Sequence, residues 1–361
     1  MSHKPSILFI NIAQYGNHTD SYKSCEYLNK SYDVDYLCFD KGYKKIKSRV
    51  NIKYLSDTGS SIRNIIKIIK ISRKLIKKNN YDLIHITYFQ LSSLLTIAMK
   101  ESFLLDIRTS SVDKGKYKRF KYNFGLKLES YFFKHISIIS ESLRRKLNLN
   151  YDKCTVIPLG ADKISLINKS YNNLHLFYIG GLDDRDIFKT VSGLAKFIQY
   201  NKDDIEISYD IFGEGNKEEI MLLKNSIKQN KLESIVKYHG RKEHYEIKNY
   251  FDKCNLGVAF VPMTEYYDCQ PPTKIFEYIN SGMVCLATNT SENKMLINKH
   301  NGILHDDNDE SFKDALIEFT EIKYTYSSTI INKTLQEYTW DNILEFKLKP
   351  LIEKLCKESE C

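Results

Sequence analysis

What most constrains this chain is a rhythm. Short runs of β-branched and aromatic residues alternate with longer stretches of helical spacing, the pattern of βαβ units and hence of parallel sheets. Ser6–Ile12, Val34–Cys38, Leu83–Thr87, Phe103–Ile107, Ile136–Ile139 and Thr155–Ile157 read as strands of one sheet. Leu174–Ile179, Ile205–Phe212, Val236–His239, Leu256–Phe260 and Val284–Ala287 read as strands of a second. A length of 361 residues also exceeds what one hydrophobic core usually supports, so two α/β halves follow. The join falls within Ala161–Asn173, where polar residues separate Val156-Ile-Pro-Leu-Gly160 from the next apolar run. The expected domains are residues 1–165, residues 166–338 and a closing helical segment 339–361, with its helix from about Trp340 to Lys357.

Composition excludes several classes. Nowhere do about eighteen apolar residues follow one another, so no helix is expected to span a membrane. The apolar run Ser6–Ile12 is too short and too poorly flanked for a signal peptide, which points to a cytoplasmic protein. Eight cysteines are scattered without a CxxC pair or a His cluster, so reduced thiols are expected and no metal site.

The net charge of +9 is concentrated in the first half. Between Lys41 and Asn80 there are thirteen Lys or Arg against the single acid Asp57. A second cluster, Lys114-Gly-Lys-Tyr-Lys-Arg-Phe-Lys-Tyr-Asn-Phe124, interleaves cations with aromatics. Such surfaces suit anionic partners: phosphate groups, an acidic lipid surface or nucleic acid. Nucleic acid is the remote alternative, because no recognised binding module accompanies the charge. Ser60–Asn79 carries Ile62, Ile65, Ile66 and Ile69 at helical spacing among lysines, which reads as a surface helix packed on the sheet or one lying on a membrane.

The richest stretch runs from Gln270 to Thr288. Pro272 and Thr273 suit a first helical turn, Ile275 and Ile279 give one apolar face, and Gly282 ends the helix before the run Val284–Ala287. A helix starting at the C-terminal edge of a parallel sheet presents free amides where ligands of such folds bind. Lys274 in its first turn adds a positive charge, and Glu277 one turn on can accept hydrogen bonds from a ribose. Lys and Glu at this spacing also form simple surface ion pairs; the capping context favours a site.

Here the chain resembles the retaining glycosyltransferases of family four, the group 1 glycosyltransferases. Many members hold the donor with a helix of the form Pro-x-Lys-x-x-Glu-Tyr followed by Gly, supplied here by Pro272, Lys274, Glu277, Tyr278 and Gly282. Val156-Ile-Pro-Leu-Gly-Ala-Asp162 is similar to the interdomain segment, and Tyr178-Ile-Gly-Gly-Leu182 to the strand and turn that open the donor domain. Tyr209-Asp-Ile-Phe-Gly-Glu-Gly215 is similar to the next strand and loop, Val236-Lys-Tyr-His-Gly-Arg241 to the base-side strand, and Asn301-Gly-Ile-Leu304 to a late glycine strand. The resemblance covers nearly the whole chain and is clearer after Ile138.

It implies the α/β GT-B fold, two Rossmann-like domains facing each other across a cleft, with the C-terminal helix returning to the N-terminal domain. It also implies a donor site of Gly181, Arg185, Gly213, Arg241, Thr273, Lys274 and Glu277, with Gly16 after the first strand letting backbone approach the phosphates. Lys189 is a second phosphate candidate or simply a solvated helix lysine, and His18 and His85 read as near strand ends facing the cleft or as merely structural. Two departures stand out. Cys269 occupies the place of a Glu that contacts the sugar in many members, with Asp268 beside it and Glu265 further upstream. Arg108 follows Phe103–Ile107 where a His is usual; with Asp106 it is either a catalytic group that stabilises the departing phosphate or a local ion pair.

The implied reaction passes a sugar from a UDP- or GDP-sugar to an acceptor hydroxyl, with retention. No metal or other cofactor is expected, since Lys274, Arg185 and helix amides neutralise the leaving diphosphate and no Asp-x-Asp motif occurs in a suitable loop. The acceptor is a saccharide or a lipid-linked molecule, the setting bacterial cell-surface polysaccharide or lipopolysaccharide assembly, peripheral on the inner face of the membrane. The alternative enzyme is another GT-B sugar-nucleotide protein such as a 2-epimerase, which needs no acceptor.

Overall fold

The structure is a computed structural model that describes residues 4–242, 244–270 and 273–358. Pro271, Pro272 and Cys361 lie outside the described residues. The chain divides into two compact units, Met1–Leu159 with Trp340–Cys361, and Gly160–Thr339.

The first unit is built on a seven-stranded sheet in the order β3-β2-β1-β4-β5-β6-β7. Its strands are β1 (Ser6–Ile10), β2 (Asp33–Asp40), β3 (Asn51–Ser56), β4 (Leu83–Thr87), β5 (Ser102–Ile107), β6 (His135–Ile138) and β7 (Cys154–Val156), paired in parallel throughout. Helices α1 (Thr19–Leu28), α2 (Ser61–Lys78), α3 (Lys116–Ser130) and α4 (Glu141–Leu147) connect β1 to β2, β3 to β4, β5 to β6 and β6 to β7. Central strands read as continuous apolar runs because both faces are covered, as in Ile7–Ile10 of β1. β3, at the sheet edge, buries only Leu55, so its sequence Asn-Ile-Lys-Tyr-Leu-Ser shows no apolar run and sits unannounced inside the basic stretch.

The second unit holds a six-stranded parallel sheet in the order β10-β9-β8-β11-β12-β13. In chain order it runs β8 (Leu174–Ile179), α5 (Phe188–Tyr200), β9 (Ile207–Phe212), α6 (Lys217–Gln229), β10 (Val236–Tyr238), α7 (His244–Lys253), β11 (Leu256–Ala259), α8 (Thr273–Asn280), β12 (Val284–Thr288), α9 (Ser291–Leu296), β13 (Gly302–His305) and α10 (Asp309–Ile322). The unit begins earlier than residue 166, because Ala161 bridges Thr339 and its amide donates to the Tyr338 carbonyl at 2.9 Å.

From Trp340 the chain rejoins the first unit. Trp340, Leu344, Leu348, Ile352 and Cys356 pack with Ile7, Phe9, Leu28 and Val34 in one buried cluster. A strict spacing of four drifts by about 40° per step on an α-helix. A π-helical turn at Leu344–Leu348, between helical segments Trp340–Ile343 and Lys349–Glu358, winds more slowly and brings the stripe back into phase. Pro350, which cannot donate to the carbonyl four residues before it, accounts for the turn's position. Among the described residues no helix is long and apolar enough to cross a membrane.

Candidate donor site in the second unit

In the second unit the chain order reverses between β8 and β11: β9 and β10 extend one side, β12 and β13 the other. At such a switch point the loops leaving two adjacent strands diverge and open a crevice at their C-terminal ends. A cavity of about 450 Å³ lies there, lined by Ile179, Gly180 and Gly181 beyond β8, Val261 beyond β11, and Thr273, Lys274 and Glu277 of α8, with Arg185, Tyr267 and Gln270. A second, of about 280 Å³, shares Ile179, Gly180 and Gly181 and continues to Gly213, Glu214, Arg241 and Lys242.

The loops after β8 and β9 touch backbone to backbone. A Cβ on Gly213 would stand 1.8 Å from the Gly180 carbonyl oxygen, so only glycine fits. A Cβ on Gly181 would meet nothing nearer than the Glu214 carbonyl at 4.0 Å, which leaves its backbone open to the cavity.

Lys274 rests its ammonium over the ring of Tyr178, 3.9 Å from the centroid. Burial, with the Arg185 charge nearby, lowers its pKa to about 7. Glu277 on the same helix face is raised to about 7 by burial; the Lys274 charge pulls it down and Asp162 pushes it up. Arg185 lies with its guanidinium carbon 4.0 Å from the centroid of Tyr267, and its Nη1 is buried without a hydrogen-bond partner. Two cations and the amide end of an eight-residue helix thus face one cavity. An anion entering it would favour the charged form of Lys274.

Of the residues singled out from sequence, the structure gathers Gly181, Arg185, Thr273, Lys274 and Glu277 on the first cavity and Gly181, Gly213 and Arg241 on the second. Arg241 pairs with Glu214 at 3.3 Å, both side chains exposed. Lys189 is turned aside to Asp186 at 2.8 Å and the Asp307 carbonyl at 3.3 Å. Asp268, the carboxylate beside Cys269, accepts from Ser291 N at 2.8 Å and Ser291 Oγ at 2.6 Å and so anchors the start of α9. Cys269 is buried. Tyr267, which sequence reasoning passed over in favour of nearby carboxylates, lines the cavity instead.

Arg108, Asp106 and Gly16 belong to the first unit. Arg108 Nε meets Asp106 Oδ2 at 2.6 Å and Asp20 Oδ2 at 3.0 Å, and its Nη1 donates to the Ile157 carbonyl at 3.3 Å. Ser137 Oγ donates to the other Asp106 oxygen at 2.6 Å. Arg108 and Asp106 thus form an ion pair at a strand end, enlarged by a second carboxylate. Gly16 packs so that a Cβ would fall 2.2 Å from Ile46 Cδ1. His85 takes the structural alternative: it lies within β4 and not at its end, buried and stacked on Phe9 at 4.3 Å between ring centroids, and burial lowers its pKa. His18 is exposed at the N-cap position of α1.

Two parallel α/β units, with a cationic cavity at the switch point of the second, are the organisation of a GT-B protein. Residues 6–104 match the family described as Glycosyl transferase 4-like, and residues 164–321 the family described as Glycosyl transferases group 1. The two units thus carry the glycosyltransferase domains of a group 1 glycosyltransferase, each over the residues matched.

Solved structures agree in fold. Sucrose-phosphate synthase from Thermosynechococcus elongatus aligns with a TM-score of 0.76 at 15% identity, covering 97% of this chain and 99% of that one. Anabaena HepE in complex with UDP and glucose gives 0.73 at 13%, covering 98% and 100%. The lipopolysaccharide outer core galactosyltransferase WaaB in its apo form gives 0.70 at 14%, covering 94% and 97%. No curated protein matches in sequence.

Proposed function

We propose that the protein transfers a glycosyl group from a UDP- or GDP-sugar to an acceptor hydroxyl, with retention and without a metal ion. The observation that carries this is the convergence of Arg185, Lys274 and the N-terminus of α8 on one cavity at the switch point. The diphosphate would lie against these cations and amides, with Glu277 accepting from the ribose and the base extending toward Gly213 and Arg241. As the bond to the sugar breaks, negative charge grows on the departing diphosphate. Donors already aimed at it stabilise that charge without reorganising. HepE, a fold relative, is described as binding UDP and glucose, which supports a uridine donor as the first to try.

The test is thermal-shift and calorimetric titration with UDP, GDP and their sugars, on the wild type and on Glu277→Ala. Binding of a nucleoside diphosphate that weakens in the variant is expected; undiminished binding would contradict the assignment. Activity should persist in chelator. Turnover of a sugar nucleotide alone to its epimer would replace transfer by epimerisation.

The acceptor is assigned to a saccharide or lipid-linked molecule of cell-surface polysaccharide or lipopolysaccharide assembly, reached at an anionic membrane surface. α3 supports this. Tyr117, Phe120, Phe124 and Leu128 are 78%, 66%, 50% and 47% exposed at helical spacing, among Lys116, Lys118, Arg119, Lys121 and Lys127. The helix's one acid, Glu129, turns inward to the amides of Leu91 and Ser93. A basic helix with an exposed aromatic stripe complements acidic headgroups and the acyl boundary beneath them.

A further inference from the structure

Arg185 is seated on a ring. Cations are more often held by carboxylates, which fix their position but also cancel their charge. Here Tyr267 places the guanidinium, through its ring face at 4.0 Å from the centroid and a hydrogen bond to its hydroxyl, while the neighbouring Asp186 is committed to Lys189 at 2.8 Å. Asp184 and Asp186, on either side of Arg185, both stand in the left-handed region at φ 56° and 52°, so the turn that presents Arg185 is a specific one.

The ring itself is fixed. Tyr267 is buried, and its amide donates to the Thr264 carbonyl at 3.0 Å. The next residue, Asp268, ties the loop to Ser291 through two hydrogen bonds. The second cation of the cavity is placed the same way, Lys274 over Tyr178 at 3.9 Å. An aromatic face attracts a cation through its quadrupole and leaves the charge available to a third party.

We propose that Tyr267 is the positioning residue for Arg185: it holds the guanidinium over the cavity, oriented and unneutralised, to meet the diphosphate of the donor. The proposal rests on the donor-site reading above. Because the guanidinium is positioned before the ligand arrives, its attraction strengthens as charge builds on the leaving group, and the ring acts on turnover as well as on binding. This also gives Asp268 a part: it anchors the loop that carries the ring.

The test is a double-mutant cycle. UDP and GDP binding is measured by calorimetry, and folding by thermal unfolding, for the wild type, Tyr267→Phe, Tyr267→Leu, Arg185→Ala and the Tyr267→Leu/Arg185→Ala pair. Tyr267→Leu should weaken binding about three- to thirtyfold. Tyr267→Phe, which keeps the ring and loses only the hydroxyl's hydrogen bond to Arg185, should lose clearly less than Tyr267→Leu, and Tyr267→Leu should have no further effect once Arg185 is gone. Equal losses with and without Arg185 would overturn the proposal, as would a Phe variant as weak as the Leu variant. The Phe comparison also decides the matter if the Leu variant fails to fold. A wild type that binds neither nucleotide would remove the donor-site reading and this proposal together. A wild type that binds, beside an unaffected Tyr267→Leu, would remove this proposal alone.

Discussion

Gly257 of β11 and Tyr278 of α8 are fitted to one another: a Cβ on the glycine would stand 2.3 Å from the tyrosine ring. The missing side chain lets α8 lie close on the sheet. The tyrosine hydroxyl then receives the Ile179 amide at 3.1 Å, at the end of β8. One ring thus ties the strand that leads to Gly180 and Gly181 to the helix that carries Lys274 and Glu277. The two walls of the cavity are held in register by a contact beneath its floor.

Gly257→Ala should therefore disturb stability and binding together. Overpacking of this kind costs about 1–3 kcal/mol. Thermal unfolding should show a lower Tm, and titration a weaker nucleoside diphosphate affinity. A variant with unchanged Tm and unchanged affinity would show that α8 can shift freely.

Lys274 gives the site a pH dependence. With its pKa lowered to about 7, the free protein loses this charge as pH rises through neutrality, while a bound diphosphate favours the protonated form and lifts the pKa back toward that of an ordinary lysine. Nucleotide affinity should fall above pH 7, and binding at pH 8 should take up a proton. Calorimetry in buffers of different ionisation enthalpy measures that uptake. Lys274→Met should remove it; uptake that persists in the variant would assign the proton elsewhere.

Arg108→Met should weaken the first unit. The substitution strands Asp106, whose side chain is 1% exposed, and Asp20, at 12%, without their shared cation. Breaking a buried pair by removing one partner costs about 3–5 kcal/mol. Urea unfolding should register the loss, and Arg108→Lys should recover only part of it, since a point charge cannot serve both carboxylates and the Ile157 carbonyl in the same geometry. Full stability with lost turnover would instead return Arg108 to the chemistry.

Substituting the stacked pair on α3, Phe120→Ser with Phe124→Ser, should leave the fold intact, since both rings are exposed and their mutual contact spans 5.8 Å between centroids. Flotation with vesicles containing acidic lipid should fall sharply. Equal flotation on neutral and acidic vesicles, or no change in the variant, would remove the membrane from the proposal.

The strands were legible where the sheet is buried on both faces: Leu83–Thr87 and Leu174–Ile179 are found with the bounds their apolar runs give. Asn51–Ser56 was illegible because an edge strand needs only one buried side chain. Lys274 and Glu277 were visible because capping, helix face and following strand lie within one stretch of sequence. Tyr267 was not, since nothing local to it tells that Arg185, far earlier in the chain, comes to rest on its ring. The role of Asp268 was hidden likewise: a carboxylate beside the expected place of a sugar ligand looks the same in sequence whether it faces a sugar or caps Ser291.

The return of Trp340–Glu358 to the first unit has a consequence for biosynthesis. The second unit is one continuous segment, whereas the core containing Ile7, Phe9 and Val34 lacks Trp340, Leu344 and Leu348 until everything between has been made. The half translated first is thus the half completed last, reversing the usual order in which domains mature on the ribosome. During that interval its apolar stripe waits uncovered, open to chaperones and proteases.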